Sequence, residues 1–178
     1  MLEDTLLIWK FKSGDSAALA RIYDKYRKPL LRIATGLLQR EHQAEDIVHD
    51  VFLWLARSPE KVKLQGNLRS FLATCVVNRV RNSNKVHRRQ EADAPVIGAE
   101  APKPSQPQRW LIASERRAVL NAALAQLPYE QCEVLVLHLQ GQMKFREIAK
   151  SQAVSINTVQ SRYRYGLEKL RSLLDGEV

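Results

Sequence analysis

The stretch SINTVQSRYRYGLEKLRSLL, Ser155 to Leu174, gathers side chains that hydrogen-bond flat polar partners. Asn157, Thr158, Gln160, Ser161, Arg162, Arg164, Tyr165 and Lys169 crowd one flank of a helical pattern. Amides and guanidinium groups bond base edges or phosphates, often in bidentate fashion, and a merely solvated helix does not need such a set. A second concentration, Asn78, Arg79, Arg81, Asn82, Lys85, Arg88 and Arg89, interleaves amides with strong positive charge. Both point to recognition of a polyanion.

Bond-making chemistry finds no support. There is no Gly-rich nucleotide loop, and no Ser/His/Asp or Cys/His arrangement recurs at usable spacing. His42, His49, His87 and His138 are scattered singly, so His49–Asp50 as a phosphoacceptor pair is a remote alternative. Cys75 and Cys132 sit in apolar helical patterns without CxxC spacing and read as two buried thiols. No catalytic residue, metal site, cofactor or small-molecule substrate is expected.

The elements that must position these residues are helices. Ser155 suits the cap of a helix from Ile156, with Val154 packing on Val159 as a staple. At 100° per residue, Val159, Tyr163, Gly166, Leu167, Leu170 and Leu174 share one wedge, the buried side. Upstream, FREIAKSQAV supplies a short helix, and Ala149, Ala153 and Val159 have the spacing of a helix-turn-helix. In AEDIVHDVFLWL, Ile47, Val48, Val51, Phe52 and Leu55 form an apolar stripe, leaving Asp46, His49, Asp50 and Leu53 outside it. In the next helix Leu68, Phe71, Leu72, Cys75, Val76 and Val80 point inward, opposite the basic set.

The 178 residues, 45% hydrophobic and 26% charged, are ordinary globular material with room for one domain or two small ones. A net charge of +9 and a pI near 9.8 favour nucleic acid or an acidic surface as partner. The basic excess lies in residues 1–90, with 17 basic against 9 acidic groups. The start, MLEDTLLIWKFKSGD, has acids where a secretory signal has a basic region, and no segment approaches the ~20 apolar residues of a membrane span. A cytoplasmic location without membrane insertion is expected.

Four prolines fall within DAPVIGAEAPKPSQPQ, Asp93 to Gln108, which reads as a linker. Helical spacing on both sides predicts an all-α protein of two small domains, 1–90 and 114–178, joined by a flexible linker, 91–113. The helices expected are 2–12, 16–39, 43–57, 67–89, 110–126, 128–140, 145–152 and 156–174. VLVLHL, the one rival strand, lies inside the helical pattern that ends at Gly141.

The chain resembles the sigma factors of bacterial RNA polymerase, in their compact extracytoplasmic-function group. ALAQLPYEQCEVLVLHLQGQMKFREIAKSQAVSINTVQSRYRYGLEKLRSLL is similar to region four, whose helix-turn-helix reads the minus-thirty-five duplex. LARIYDKYRKPLLRIATGLLQREHQAEDIVHDVFLWLAR and NLRSFLATCVVNRVRNSNKVHRR resemble region two. The resemblance implies that Asp46, His49, Asp50 and Leu53 meet the clamp helices of core polymerase. It also implies that the basic helix, with the loop from Lys61 through Lys63 to Gly66, holds the melted minus-ten strand. Implied partners are core RNA polymerase (clamp helices and flap), promoter DNA and an anti-sigma factor.

Three positions depart from the family pattern: Asn82 stands where an Asp is found, which bears on base preference, His49 where Gln is common, and Cys132 where Arg is common. An ordinary helix-turn-helix regulator that binds duplex DNA without polymerase is the competing reading. It does not explain why the N-terminal half is the more basic one.

Overall fold

The computed structural model describes residues 2–38, 41–62, 64, 67–92 and 108–176, the side chains of residues 2, 41–42, 86–92, 108–115 and 117 excepted. The described residues form helices joined by turns and contain no strand, so the all-α expectation holds. The N-terminal half contains α1 (Leu2–Lys12), α2 (Ser16–Leu38), α3 (Glu41–Arg57), a 3-10 turn at Pro59–Lys61 and α4 (Leu68–Ala92). The C-terminal half contains α5 (Gln108–Ala125), α6 (Tyr129–Leu139), α7 (Phe145–Gln152) and α8 (Ile156–Asp175). Most of the expected linker lies outside the described residues, and α5 begins within it, at Gln108.

In the N-terminal half α2 is the axis, packing on α1, α3 and α4. Its buried positions, Ala18, Ile22, Tyr26, Leu30, Ile33 and Leu37, recur at helical spacing. They meet the stripe Ile47, Val48, Val51, Phe52 and Leu55 of α3, all buried as its period requires. Leu68, Leu72, Val76 and Val80 of α4 complete the core, while Phe71 and Cys75 are half-buried. Asn67 starts α4, its side-chain oxygen accepting the Ser70 N–H at 2.7 Å. α1 is tied down by Lys25, which donates to Glu3 at 2.5 Å and Asp4 at 2.8 Å.

In the C-terminal half α6, α7 and α8 pack around Leu135, Leu137, Met143, Ile148 and Val159. α8 crosses α6 closely at Gly166, where a Cβ would lie 3.1 Å from that of Gln131 and 3.2 Å from Leu135 Cδ1. A ring cluster fixes the same crossing. His138 stacks on Phe145 at 4.5 Å and meets Tyr163 edge-on at 5.0 Å. The His138 Nδ1–H donates to the Met143 carbonyl at 2.9 Å, which sets the orientation of the ring.

The two halves touch. α5 and α6 pack on α2, and Gly36 of α2 lies under Val136, whose Cγ2 would stand 3.1 Å from an added Cβ. The Cys132 thiol points to the Gly36 carbonyl at 3.6 Å. Burial pushes the Cys75 thiol to about 11 and the Cys132 thiol to about 12, so both stay protonated at neutral pH; Cys132 is the buried thiol expected, whereas Cys75 is half-buried.

Candidate nucleic-acid interface

The helix-turn-helix is built from α7 and α8. At the N-terminus of α7 the Glu147 carboxylate accepts the Lys144 N–H at 2.7 Å. α7 ends at Ala153, which adopts the left-handed conformation (φ 54°, ψ 42°), so that Val154 N–H closes back on the Ala149 carbonyl at 3.1 Å. Ser155 then caps α8, its hydroxyl accepting the Thr158 N–H at 3.1 Å. Of the expected wedge Val159, Gly166 and Leu170 are buried, while Tyr163, Leu167 and Leu174, like Val154 of the staple, are half-buried.

On the opposite side Asn157, Gln160, Ser161, Arg164, Tyr165 and Lys169 are all exposed, and Thr158 is half-buried beside the cap. Arg164 lies over the Tyr165 ring, 5.0 Å from its centroid, and donates to its hydroxyl at 3.3 Å. This pairing pre-orients a guanidinium and a phenol on the outermost face. Arg162 differs: it is half-buried and donates to Gln152 of α7 at 2.7 Å.

The basic helix is less uniform than its sequence. Asn78, Asn82 and Lys85 are exposed on α4, and Lys61 is exposed at the end of the 3-10 turn. Arg79 reaches back to Asp50 of α3 at 3.4 Å. Arg81 turns toward the C-terminal half, where its Nε and Nη2 donate to the two oxygens of Glu133 at 2.9 and 2.5 Å. That bidentate pair raises the Arg81 guanidinium above its ordinary range. Lys63 and the side chains of Arg88 and Arg89 lie outside the described residues.

On α3, Asp46, His49, Asp50 and Leu53 stand exposed together at one side, Leu53 retaining 37% of its surface. Asp46, His49 and Asp50 lack pairing among themselves in the described contacts, and the apolar Leu53 beside them gives the patch a mixed acidic and hydrophobic character. Among the described residues no group of His, Cys, Asp or Glu could hold a metal ion, and no helix is long and apolar enough to cross a membrane.

Sequence reasoning missed Glu133, an acid only 1% exposed, and the residues gathered with it. Gln152 donates to Glu133 Oε1 at 2.8 Å, which joins Arg81, Glu133, Gln152 and Arg162 into one chain of hydrogen bonds. Nearby, Glu147 Oε1 accepts from Asn67 at 2.9 Å and Ser70 at 2.8 Å, and Arg69 donates to the Gln142 side chain and, at 3.1 Å, to the Gln140 carbonyl. One signal for Glu133 was available: it is the only acid inside the apolar run CEVLVLHL.

Comparison with known proteins gives two successive matches. Residues 22–92 match the family model Sigma-70 region 2, and residues 117–170 match Sigma-70, region 4. Similar curated proteins include the ECF RNA polymerase sigma factor SigE of Mycolicibacterium smegmatis, 29% identical over 91% of this chain and 65% of the relative. Another is ECF RNA polymerase sigma factor SigW of Bacillus subtilis, 24% identical over 94% of each. This chain thus spans just under two thirds of the SigE relative and nearly all of SigW. Among solved structures, CnrH in complex with the cytosolic domain of CnrY superposes with a TM-score of 0.74 at 20% identity over 99% of both chains. The sigma factor RpoE with the anti-sigma factor NepR, from Bartonella quintana, gives 0.69 at 23% identity over 87% of this chain and 97% of that one.

Proposed function

We propose that this chain, which belongs to the sigma-70 family and within it to the extracytoplasmic-function group, works as an alternative sigma factor that divides promoter recognition between its halves. The observation that carries the reading is the occurrence, in order in one chain, of the region 2 and region 4 matches at 22–92 and 117–170. The N-terminal domain, 1–90, binds core polymerase through Asp46, His49, Asp50 and Leu53, whose exposure on one side of α3 suits docking on a partner helix. Asn78, Arg79, Arg81, Asn82, Lys85, Arg88 and Arg89 of α4, with Lys61 and Lys63 before it, hold the melted minus-ten strand. Bound strand is held by phosphate contacts and by hydrogen bonds to unstacked bases.

The C-terminal domain, 114–178, places α8 in the major groove of the minus-thirty-five duplex. Asn157, Gln160, Ser161 and Arg164 reach base edges there, while Thr158, Arg162, Tyr165 and Lys169 serve the flanking backbone. Residues 91–113 connect the domains. The chain performs no chemistry of its own: it positions DNA for the polymerase, in the cytoplasm. The solved structure of RpoE holds the anti-sigma factor NepR, and an anti-sigma factor is the corresponding partner here.

The test is run-off transcription from a candidate promoter with core polymerase, with and without this chain. Promoter-dependent transcripts that require the chain are expected. Tight duplex binding by the chain alone, with no transcript, would identify an ordinary helix-turn-helix regulator instead.

A further inference from the structure

Glu133 is a charged group sealed inside an otherwise apolar helix face, and its direct partners come from both halves of the molecule. Arg81 on α4, a helix assigned to DNA, ends directly on this carboxylate from the other half, while Arg162 on α8 donates to Gln152, itself a Glu133 partner within the C-terminal half. A carboxylate that takes an arginine in bidentate fashion offers the same planar pair of acceptors as a phosphate. We propose that Glu133 is an internal competitor for promoter phosphate, closing the free chain so that Arg81 of the strand-holding helix is withheld. The inference rests on the reading of α4 as a DNA-holding helix.

Two features make the closure reversible. Its polar contacts outside Glu133 are few: Glu147 with Asn67 and Ser70, Arg69 with Gln142 and the Gln140 carbonyl, and Arg81 with the Ser151 carbonyl, beside the packing of α5 and α6 on α2 at Gly36 and Val136. The polar contacts can be exchanged for water, and opening hydrates Glu133 rather than stranding it, since Gln152 stays with it and water replaces Arg81. The closed form also carries costs. Arg69 Nε, Gln140 Oε1 and the Tyr129 hydroxyl are buried without a hydrogen-bond partner among the described residues. Each such group weakens the closed form relative to an open one in which it meets water.

The experiment compares the full chain with two variants that open it by different routes. Glu133→Gln removes the charge that competes with phosphate. Gly36→Leu leaves every polar group in place and pushes α2 away from Val136 and Gln140, whose atoms stand 3.1 to 3.6 Å from the Cβ position. Small-angle X-ray scattering reads the radius of gyration, circular dichroism reads helicity, and a fluorescein-labelled random-sequence single strand reads DNA affinity. Both variants should stay helical and expand. They should also bind the strand about tenfold more tightly, if the open form is ~10% of the wild-type population.

Should Glu133→Gln fail to fold, Gly36→Leu carries the test alone. A wild-type chain already as expanded as the variants, or variants that expand without tighter strand binding, overturns the proposal. So do unchanged scattering and affinity in a helical Gly36→Leu chain. Run-off transcription by the wild type is a separate measurement: no transcript together with expansion and tighter binding in the variants removes the sigma reading and leaves the closure standing.

Discussion

Arg164 and Lys169 are both exposed cations on α8, but their surroundings give them different work. Arg164 is pre-oriented over Tyr165 and stands on the same outer face as Asn157 and Ser161, away from the buried Val159 and Leu170. A side chain held in that way can present a fixed pair of donors to one base pair, and losing it should cost ~1–3 kcal/mol at that position alone. Lys169 lies nearer the C-terminal end of α8 as a point charge on a flexible stem, which suits phosphate. Selection from a randomised minus-thirty-five pool should therefore return a different preferred sequence for Arg164→Ala or Ser161→Ala. Lys169→Ala should lower activity evenly across the pool. An unaltered preferred sequence for Asn157, Ser161 and Arg164 variants alike would mean that this face does not read bases. Asp50 and Leu53 pose a different question, because both are exposed on α3 and neither supports the core. The Asp50–Arg79 pair is exposed on both sides and contributes only ~0–1 kcal/mol. Asp50→Lys combined with Leu53→Ala should thus abolish binding to core polymerase in a pull-down while the circular dichroism spectrum stays helical.

At the scale of elements, the helix-turn-helix contains one residue at odds with its backbone. Ala153 sits at φ 54°, where a Cβ crowds the following carbonyl at a cost of roughly 1–2 kcal/mol. Glycine carries no such cost but gives the unfolded chain more freedom, worth ~0.4–1 kcal/mol in the other direction. The balance favours Ala153→Gly by up to about 1.6 kcal/mol, read as a higher urea midpoint with an unchanged slope. A lower midpoint would show that the Ala153 methyl group makes a contact worth more than the strain. The turn was legible in the sequence from the spacing of Ala149, Ala153 and Val159, though the left-handed backbone was not, because Ala gives no hint of it. Helix positions were legible because each stripe is amphipathic: α3 buries the whole apolar stripe that its 3.6-residue period selects, and α4 and α8 bury or half-bury theirs. The 3-10 turn at Pro59–Lys61 was missed, being too short to show a period. α5 was expected from residue 110 and starts two residues earlier, because Gln108 and Arg109 are polar and precede the apolar Trp110, Leu111 and Ile112 that mark the helical pattern.

At the scale of the whole molecule, the way one half meets the other had no local signature. Gly36 and Val136, or Arg81 and Glu133, are separated by a hundred and by fifty-two residues, and periodicity says nothing about which surfaces pair at such distances. The consequence is a basic surface whose charges are not equally available. Lys85 is exposed, Arg79 is paired among the described residues with an exposed carboxylate, and Arg81 is neutralised by a buried one. Counterion release makes this difference measurable, because the slope of log affinity against log salt for a single strand falls by ~0.7 for each phosphate contact. Converting Arg79 and Lys85 to Ala together should flatten the slope by about 1.4, two contacts' worth. Glu133→Gln should act in the opposite direction and steepen it by ~0.7, as Arg81 is released to a phosphate. The opposite signs distinguish contact loss from contact release in a way that affinity at one salt concentration does not. Equal slopes for wild type and Glu133→Gln, alongside a flatter slope for the double Ala variant, would place Arg79 and Lys85 on the strand and leave Arg81 with no phosphate to hold.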